Sequence, residues 1–383
     1  MPRTADRHLV QRLSGAAVPV IAALGAFVVG AVMIWLLGAS PVEGFKALFS
    51  GAFGGRAELA DTAVKATPLL LVGAGICVAF RARVINVGGE GQILLGALFS
   101  TVIALGLGDL PRPILLPLVL VAGMVGGGIW GAIPGALKAY LGVNEILSTI
   151  MLNIVAVQFV TYLLRGPLID PEQDAAGRIP QTKRLSQNAD LPVLVEETRM
   201  HLGVLLAVLM AIAAWVFLWR STLGYRVRAV GAGLDAARYA GIRVHRMTVL
   251  ALTVSGAMCG LAGAILVFGS EGHRFVSDGS STGFTGSAGF NGIVAALFGA
   301  LHPLWTIPAS FLFGGLLVGA NAMQRAIQVP SSLVVALNGI VVLFVVAGVD
   351  VRRRILLRFP PTDATKAPAD AGPLSLELEK LHA

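Results

Sequence analysis

The sequence predicts an all-α polytopic membrane protein with about ten transmembrane helices. Of its 383 residues, 56% are hydrophobic and only 13% are charged, and the mean hydropathy is +0.80. Soluble globular domains carry about 25% charged residues. The apolar residues also fall into separate runs, whose lengths are close to the ~20 residues that a helix needs to cross a bilayer.

Ten such runs follow one another along the chain. They cover residues 18–38, 66–80, 93–107, 114–133, 146–164, 201–219, 247–268, 286–301, 304–320 and 333–349. The first run is longer than the apolar core of a secretory signal peptide, so we expect it to remain as the first helix. Together the runs predict a transmembrane domain over residues 18–349.

The basic residues predict how these helices are oriented. If residues 1–17 are cytoplasmic, most Lys and Arg residues fall in inner loops, as the positive-inside rule requires. Residues 165–200 then form an external loop, residues 220–246 a cytoplasmic loop, and residues 350–383 a cytoplasmic tail that we expect to be disordered. The expected location is the cytoplasmic membrane of the cell. Basic residues in inner loops, next to the negatively charged inner leaflet, account for the net charge of +8. We therefore expect no nucleic-acid partner.

A polar segment rich in glycine interrupts the apolar runs after residue 81. Asn86, Glu90 and Gln92 stand there among several glycines. Glycine destabilises a helix interior, so the segment predicts a broken helix. Irregular backbone at membrane depth is tolerated only where it is buried in protein or lines a wet cavity. We therefore interpret the segment as part of a translocation path; an ordinary cytoplasmic loop is the alternative.

A weak internal repeat points to the same region. Gly292, Leu297 and Gly299 repeat the spacing of Gly89, Leu94 and Gly96, in runs that we expect to cross the membrane in opposite directions. An inverted repeat of this kind marks a midplane path in many transporters. Polar residues that could line the path, or only brace neighbouring helices, are Asn86, Glu90, Gln92, Asn144, Glu145, Asn153 and Asn291.

The loop 220–246 contains a second segment with a predicted role. A two-turn helix is expected there, with Gly233 as its N-cap, Asp235 in its first turn and Gly241 just past its end. So short a helix is marginal in water, so we expect a partner surface to hold it. A basic loop that only sets topology is the alternative. The candidate coupling residues are Arg228, Gly233, Leu234, Asp235, Ala236, Ala237, Arg238, Tyr239 and Gly241.

Small residues indicate how the helices pack. Gly123, Gly127, Gly131 and Gly135 recur at a spacing of four, as do Gly256 with Gly260 and Gly315 with Gly319. This spacing lets helix backbones approach closely in lipid. Cys77 and Cys259 each lie inside an apolar run, so we expect packed free thiols.

Four ordered motifs make the sequence resemble the permease subunits of ABC importers. They are Asn-Val-Gly-Gly-Glu-Gly-Gln from Asn86, Gly-Val-Asn-Glu-Ile-Leu-Ser-Thr-Ile-Met-Leu-Asn from Gly142, Arg-Ala-Val-Gly from Arg228 with Ala-Ala-Arg-Tyr-Ala-Gly-Ile from Ala236, and Ser-Gly-Ala-Met-Cys-Gly-Leu-Ala-Gly-Ala from Ser255. The chain is most similar to a group related to ribose and branched-chain amino-acid permeases that serves purine nucleosides. It departs from that group at Asn291, where an Asp is usual, and at Gly233, where an Asn is usual.

The resemblance implies a division of labour among subunits. This chain would form the path for nucleosides delivered by an extracytoplasmic substrate-binding lipoprotein, beside a second, similar permease subunit in a heterodimer. A separate ABC ATPase subunit would bind ATP and Mg and receive the helix at Gly233 to Ala240 in a cleft. No Gly-Lys-Ser/Thr phosphate loop occurs in this sequence, and no catalytic or metal motif stands out. We therefore expect a transport subunit that is not an enzyme and binds no cofactor.

Three other functions remain open on the sequence alone. The first is an ABC permease for a simple sugar, which belongs to the same class of subunit. The second is a secondary transporter, since inverted repeats and broken helices occur there as well. That mechanism would need a coupling-ion site, and Glu90 and Glu145 are the acids near the spans. The third is a channel.

Overall fold

The computed structural model describes residues 27–172, 179–269, 273–277, 279–280 and 283–330, with single positions at 25, 336, 339, 340, 343 and 344. Regular structure in this part of the chain is helical, apart from two isolated β-bridges. The predicted all-α class is therefore confirmed. Residues 38–334 form one compact unit, and residues 1–37 with 335–383 form another.

Seven of the described helices are long and apolar enough to cross a bilayer, namely Arg56–Arg81, Gly89–Gly106, Arg112–Leu141, Glu145–Arg165, Leu202–Arg220, Val244–Phe268 and Pro303–Ile327. Each coincides with one of the predicted runs. The helices are α1 (Phe27–Leu36), α2 (Pro41–Phe53), α3 (Arg56–Arg81), α4 (Gly89–Gly106), α5 (Arg112–Leu141), α6 (Glu145–Arg165), α7 (Leu202–Arg220), α8 (Thr222–Ala232), α9 (Leu234–Tyr239), α10 (Val244–Phe268), α11 (Ala288–Phe298) and α12 (Pro303–Ile327).

The run predicted at 286–301 differs from the others. It forms α11, whose 11 residues rise about 16 Å, against a hydrocarbon core of ~30 Å. The helix stops because Ala300 and Leu301 have positive φ angles and because His302 precedes a proline, which disfavours helical backbone. Most of the run 333–349, the segments 1–17 and 350–383, and the exact number of spans lie outside the described residues.

Close contacts between glycines hold α4, α5 and α10 together. A Cβ atom added to Gly127, Gly256 or Gly260 would overlap backbone atoms of a facing helix, and one added to Gly131 would lie 2.5 Å from the carbonyl oxygen of Leu252. The predicted role of small residues is therefore confirmed. Cys77 and Cys259 are buried free thiols, as expected.

Candidate translocation site and coupling segment

The helical path is interrupted between α3 and α4, at residues 82–88. Arg83 has a φ of +60°, which ends the regular turns of α3. Ala82, Val84 and Asn86 are nevertheless buried. Residues 82–88 are therefore irregular, as predicted, and are buried on one side, whereas Arg83 and Ile85 are exposed; their depth in the membrane stays a prediction.

Asn86 is the centre of a hydrogen-bond network that holds this break. Its Nδ2 donates to Gln92 Oε1 and to Ser255 Oγ, both at 2.9 Å. Its Oδ1 accepts from the backbone N–H of Gly88 at 2.9 Å and from Gln92 Nε2 at 3.1 Å. Both amide donors and both lone pairs of Asn86 are thus used. Asn86 and Gln92 therefore brace the start of α4 against α10.

Residues of α6 complete the backbone hydrogen bonds of the break. Asn153 Oδ1 accepts from the N–H of Gly91 at 2.8 Å, and its Nδ2 donates to the carbonyl of Val87 at 3.0 Å. Thr149 Oγ1 accepts from the N–H of Val87 at 3.4 Å. These bonds replace the intrahelical partners that the break removes.

Glu90 lies where the N-termini of α4 and α11 meet. The carboxylate is fully buried, and its Oε1 accepts from the backbone N–H of Phe290 at 3.1 Å. A Cβ atom on Gly289 would lie 2.5 Å from the backbone nitrogen of Glu90, so this approach needs glycine at position 289. A helix N-terminus favours a negative charge. The other oxygen, Oε2, makes no hydrogen bond of normal geometry within the described part of the chain, although the Thr285 hydroxyl and the Gly289 N–H also interact with the carboxylate.

The remaining polar candidates lie around this centre. Asn144 caps α6, because its Oδ1 accepts from the N–H groups of Ile146 and Leu147 at 2.9 and 3.3 Å. Glu145 pairs with Lys138 at 2.8 Å. Asn291 is half-buried in the first turn of α11, next to the residue that bonds Glu90. Which of these side chains touch a substrate stays a prediction, as does the inverted repeat.

A cavity of about 820 Å³ opens at the N-terminal end of α7. Small-molecule sites typically occupy 300–1,000 Å³. Its lining includes Lys65, Arg112, His201 and His273, and His273 pairs with Asp190 at 2.9 Å. Burial lowers the pKa of His201. Sequence reasoning missed this cavity because its lining combines residues 187–201 of the connector before α7 with residues of α3, α5 and α10 that are distant in sequence.

The long connector before α7 is bound to the chain that follows α10. Leu185 donates its N–H to the carbonyl of His273 at 2.8 Å, and Leu191 donates to Phe268 at 2.9 Å. Arg274 forms an ion pair with Asp170 and holds the pKa of that carboxyl below its usual range. Hydrogen bonds and an ion pair therefore hold the described part of this connector in place, and it forms one wall of the cavity.

The predicted coupling helix is present as α9. Gly233 is its N-cap, with an extended backbone, and Gly241 follows with a φ of +75°. Ala237 is buried, whereas Leu234 is 44% and Tyr239 95% exposed. The remaining side chains, those of Asp235, Ala236 and Arg238, are exposed. The ion pair between Asp235 and Arg238 spans 3.4 Å at the surface, where such pairs contribute little.

We name α8, α9 and the residues up to Gly241 the coupling segment, after its predicted role. It contacts the break, residues 82–88, through α8. A Cβ atom on Gly231 would overlap the carbonyl oxygen of Arg81, the last residue of α3. Arg228 is half-buried and lies against Trp219, with its Cζ 5.9 Å from the ring centroid. The contact of Gly231 with Arg81 was not predicted, because these two residues are far apart in sequence.

Comparisons with known proteins agree with the resemblance found in the sequence. The chain is 36% identical over 345 residues to the guanosine ABC transporter permease protein NupP of Bacillus subtilis, covering 90% of this chain and 97% of that one. It is 32% identical over 360 residues to the nucleoside ABC transporter permease protein NupB of Lactococcus lactis, covering 91% and 94%. It is 34% identical over 364 residues to the glucose ABC transporter permease protein TsgB13 of Haloferax volcanii, covering 92% and 93%.

The matching family model is described as "Branched-chain amino acid transport system / permease component" and covers residues 58–346. This range includes the seven long helices, except for the first two residues of α3, together with the break and the coupling segment. The chain therefore belongs to this family of permease components and is a multi-pass membrane protein.

Proposed function

We propose that this chain is the transmembrane permease subunit of an ATP-binding-cassette importer that carries nucleosides, with purine nucleosides favoured. Two relatives named for guanosine and for nucleosides match at 36% and 32% identity over most of the chain. The structural observation that carries the proposal is the buried break between α3 and α4. A break of this kind is found where backbone lines a path through the membrane.

Glu90 lies at the start of α4, next to the break, and is the group that we assign to substrate contact. Asn86, Gln92 and Asn153 use their hydrogen-bonding groups within the protein, whereas Glu90 Oε2 makes no hydrogen bond of normal geometry to a described residue. The Thr285 hydroxyl and the Gly289 N–H also interact with this carboxylate. A buried acceptor without a partner costs free energy, roughly 1–3 kcal/mol or more for a charged group. The N–H and O–H groups of a nucleoside would supply the missing donors. Asn144, Glu145 and Asn291 would line or brace the same path.

The cavity and the coupling segment lie at opposite ends of α7. Lys65 and His201 are at the cavity, and Arg81 and Arg220 end α3 and α7 near the coupling segment. The 19 residues of α7 span about 28 Å, nearly the thickness of the hydrocarbon core. This separation supports an entry chamber on the external side, facing the lipoprotein receptor, and a coupling segment in the cytoplasm.

The exposed end of α9 would dock in the ATPase subunit, where ATP and Mg are bound. Leu234 and Tyr239 present apolar surface there, and an exposed aromatic side chain is a frequent anchor of protein interfaces. Closure of the ATPase would then move α8 and, through its contact with Arg81, the break itself. We further propose about ten spans in all, with both termini cytoplasmic and with a second, similar permease subunit completing the path.

A sugar permease is the second candidate. The relative from Haloferax volcanii, which is named for glucose, is 34% identical over 92% of this chain. Proteoliposomes with the complete complex separate these functions when they are supplied with ATP and with labelled guanosine, adenosine or glucose. We expect ATP-dependent uptake of a nucleoside that excess glucose does not suppress. Preferential glucose uptake would support the sugar permease, and uptake driven by an ion gradient without ATP would identify a secondary transporter.

The variant Glu90→Gln tests the site in the same assay. The amide oxygen can still accept from the N–H of Phe290, but an NH₂ group replaces the acceptor at Oε2. We expect nucleoside uptake to fall on the order of tenfold or more, since a hydrogen bond to a charged group contributes ~1.5–3 kcal/mol. The control Glu43→Gln removes an exposed carboxylate at the start of α2 and should leave uptake unchanged. Equal uptake by both variants would place the path elsewhere.

A further inference from the structure

A cluster of basic side chains surrounds Trp219 at the end of α7; we name Arg81, Trp219, Arg228 and His302 the Trp219 cluster. The guanidinium carbons of Arg81 and Arg228 lie 5.1 and 5.9 Å from the indole centroid. The ring of His302 lies 4.9 Å from it. The four residues come from α3, α7, α8 and the turn before α12, so the cluster joins segments that are distant in sequence.

The charges of this cluster are not balanced within the described part of the chain. Arg81 donates one hydrogen bond, to the carbonyl of Leu301 at 3.4 Å, and no carboxylate there pairs with Arg81 or Arg228. Arg81 Nε, Arg228 Nε and His302 Nδ1 are buried without a hydrogen-bond partner. Two guanidinium groups on one indole repel each other, and cation–π attraction contributes only ~0.5–2 kcal/mol apiece. The three side chains are half-buried, but buried polar atoms such as these nitrogens normally have a hydrogen-bond partner.

The fourth member adds a hydrogen-bond donor without adding charge. Burial and the positive charge of Arg81 both lower the pKa of His302, so its imidazole is neutral near pH 7. A neutral imidazole offers one N–H donor. The cluster therefore presents two cations and one neutral donor, which is the donor set for an anion with several oxygen atoms.

The position of the Trp219 cluster indicates which kind of anion could bind there. Arg81 is the last residue of α3, and Trp219 is the last but one of α7, so both lie at the end of a candidate membrane span. Trp and Arg concentrate at this depth, where lipid headgroups lie. On α7, Leu209, Ile212 and Val216 are exposed, which leaves the span open to acyl chains. A phospholipid can thus bring its phosphate to the cluster.

We propose that Arg81 and Arg228 bind the phosphate of an anionic phospholipid over the face of Trp219, with His302 donating a further hydrogen bond. Guanidinium groups bind phosphate through paired N–H donors. Because Arg81 precedes the break and Arg228 lies on α8, the bound headgroup joins the coupling segment to the start of the break. The site depends on neither the nature of the transported substrate nor the direction of transport.

Native mass spectrometry tests the proposal on the full chain released from nanodiscs that contain phosphatidylglycerol. The wild type should retain this lipid, and Arg228→Gln and Arg81→Gln should each weaken retention about tenfold, equivalent to ~1.4 kcal/mol. Arg228→Lys keeps the charge without the planar fork and should weaken retention less than Arg228→Gln does. The control Arg226→Gln changes the charge of α8 equally, at an exposed position, and should retain lipid within about twofold of the wild type.

Three outcomes would overturn the proposal. Equal losses in Arg226→Gln and Arg228→Gln would indicate unspecific attraction between α8 and the bilayer surface. Displacement of the signal by millimolar inorganic phosphate would make free phosphate the ligand. A wild type that retains no phosphatidylglycerol, while cross-linking joins Arg228 to an acidic residue of another subunit, would make the cluster a protein contact. Monodisperse elution of each variant shows that a lost signal does not come from misfolding.

Discussion

The side chain of Asn86 makes four hydrogen bonds inside the protein, and these favour one of the two roles expected of it. The sequence suggested a residue that lines or braces the path. In the structure its amide joins the break, α4 and α10 through Gln92, Gly88 and Ser255. Glu90, four residues later, has an oxygen, Oε2, that makes no hydrogen bond of normal geometry to a described residue. A polar residue in a buried break can thus serve the backbone or the substrate, and the hydrogen-bond partners decide which.

Replacement of Asn86 by Ala tests this bracing role. The change leaves Ser255 Oγ and the Gly88 N–H buried without their partner, at a cost of roughly 1–3 kcal/mol for each group. We expect a lower melting temperature in detergent together with reduced uptake, while the complex still assembles. Gln92→Ala removes fewer bonds and should lower both quantities less. A variant Asn86→Ala that keeps the parent's melting temperature but loses uptake would instead indicate direct contact with the substrate.

At the scale of elements, α9 is a short helix whose position is set by its neighbours. Gly233 and Gly241 begin and end it by their backbone conformations, and burial of Ala237 holds it on the protein. Its six residues would not form a stable helix alone, since isolated helices shorter than about 12 residues are marginal in water. The remainder of its surface is available to a partner.

Ala237→Pro tests whether α9 transmits the stroke of the ATPase. The N–H of Ala237 donates to the carbonyl of Gly233 at 3.0 Å; proline removes this bond and costs about 3 kcal/mol or more inside a helix. We expect loss of receptor-stimulated ATP hydrolysis and of uptake, with normal membrane insertion. Gly241→Val should act similarly, because a β-branched residue is strained at a positive φ.

The matched control is proline at the first position of the same helix. Leu234 occupies that position, where proline is well tolerated, so Leu234→Pro should behave like Leu234→Ala. Leu234→Pro and Leu234→Ala both remove the exposed leucine side chain, and they differ only in the proline ring of the backbone. Parental hydrolysis and transport in Ala237→Pro would mean that the segment only sets topology.

At the scale of the whole molecule, α3 and α7 connect the cavity with the coupling segment. Lys65 and Arg81 mark the two regions on α3, and His201 and Arg220 mark them on α7. The two helices therefore run in the same direction, from the cavity to the coupling segment. The break directly follows α3, so we expect a movement of the coupling segment to be transmitted to it.

Cysteine labelling tests the orientation that this arrangement needs. Cys77 and Cys259 are buried, so the parent protein should give a low background. A cysteine at Glu172, an exposed position in the connector, should react with an impermeant thiol reagent added outside intact cells. One at Asp235 should react only after the membrane is opened. Labelling of both positions from the same side would contradict the proposed topology.

The sequence by itself determined the features that depend on neighbouring residues. Hydropathy over about 20 residues predicts a membrane helix, and seven predicted runs became long helices. The clustered glycines predicted the break, and Gly233 with Gly241 predicted the ends of α9. The motifs also identified the permease family. Each of these features follows from a short stretch of chain, because caps, glycines and apolar runs act locally.

Only the tertiary structure decided which distant groups meet. The pairing of Asn86 with Ser255, the contact of Glu90 with α11, the cavity beside α7 and the Trp219 cluster each join segments far apart in the sequence. The apolar run at 286–301 also gave a short helix, because the turn before α12 ends it. Hydrogen bonds, cavities and charge balance depend on positions in space, which local patterns in one sequence do not specify.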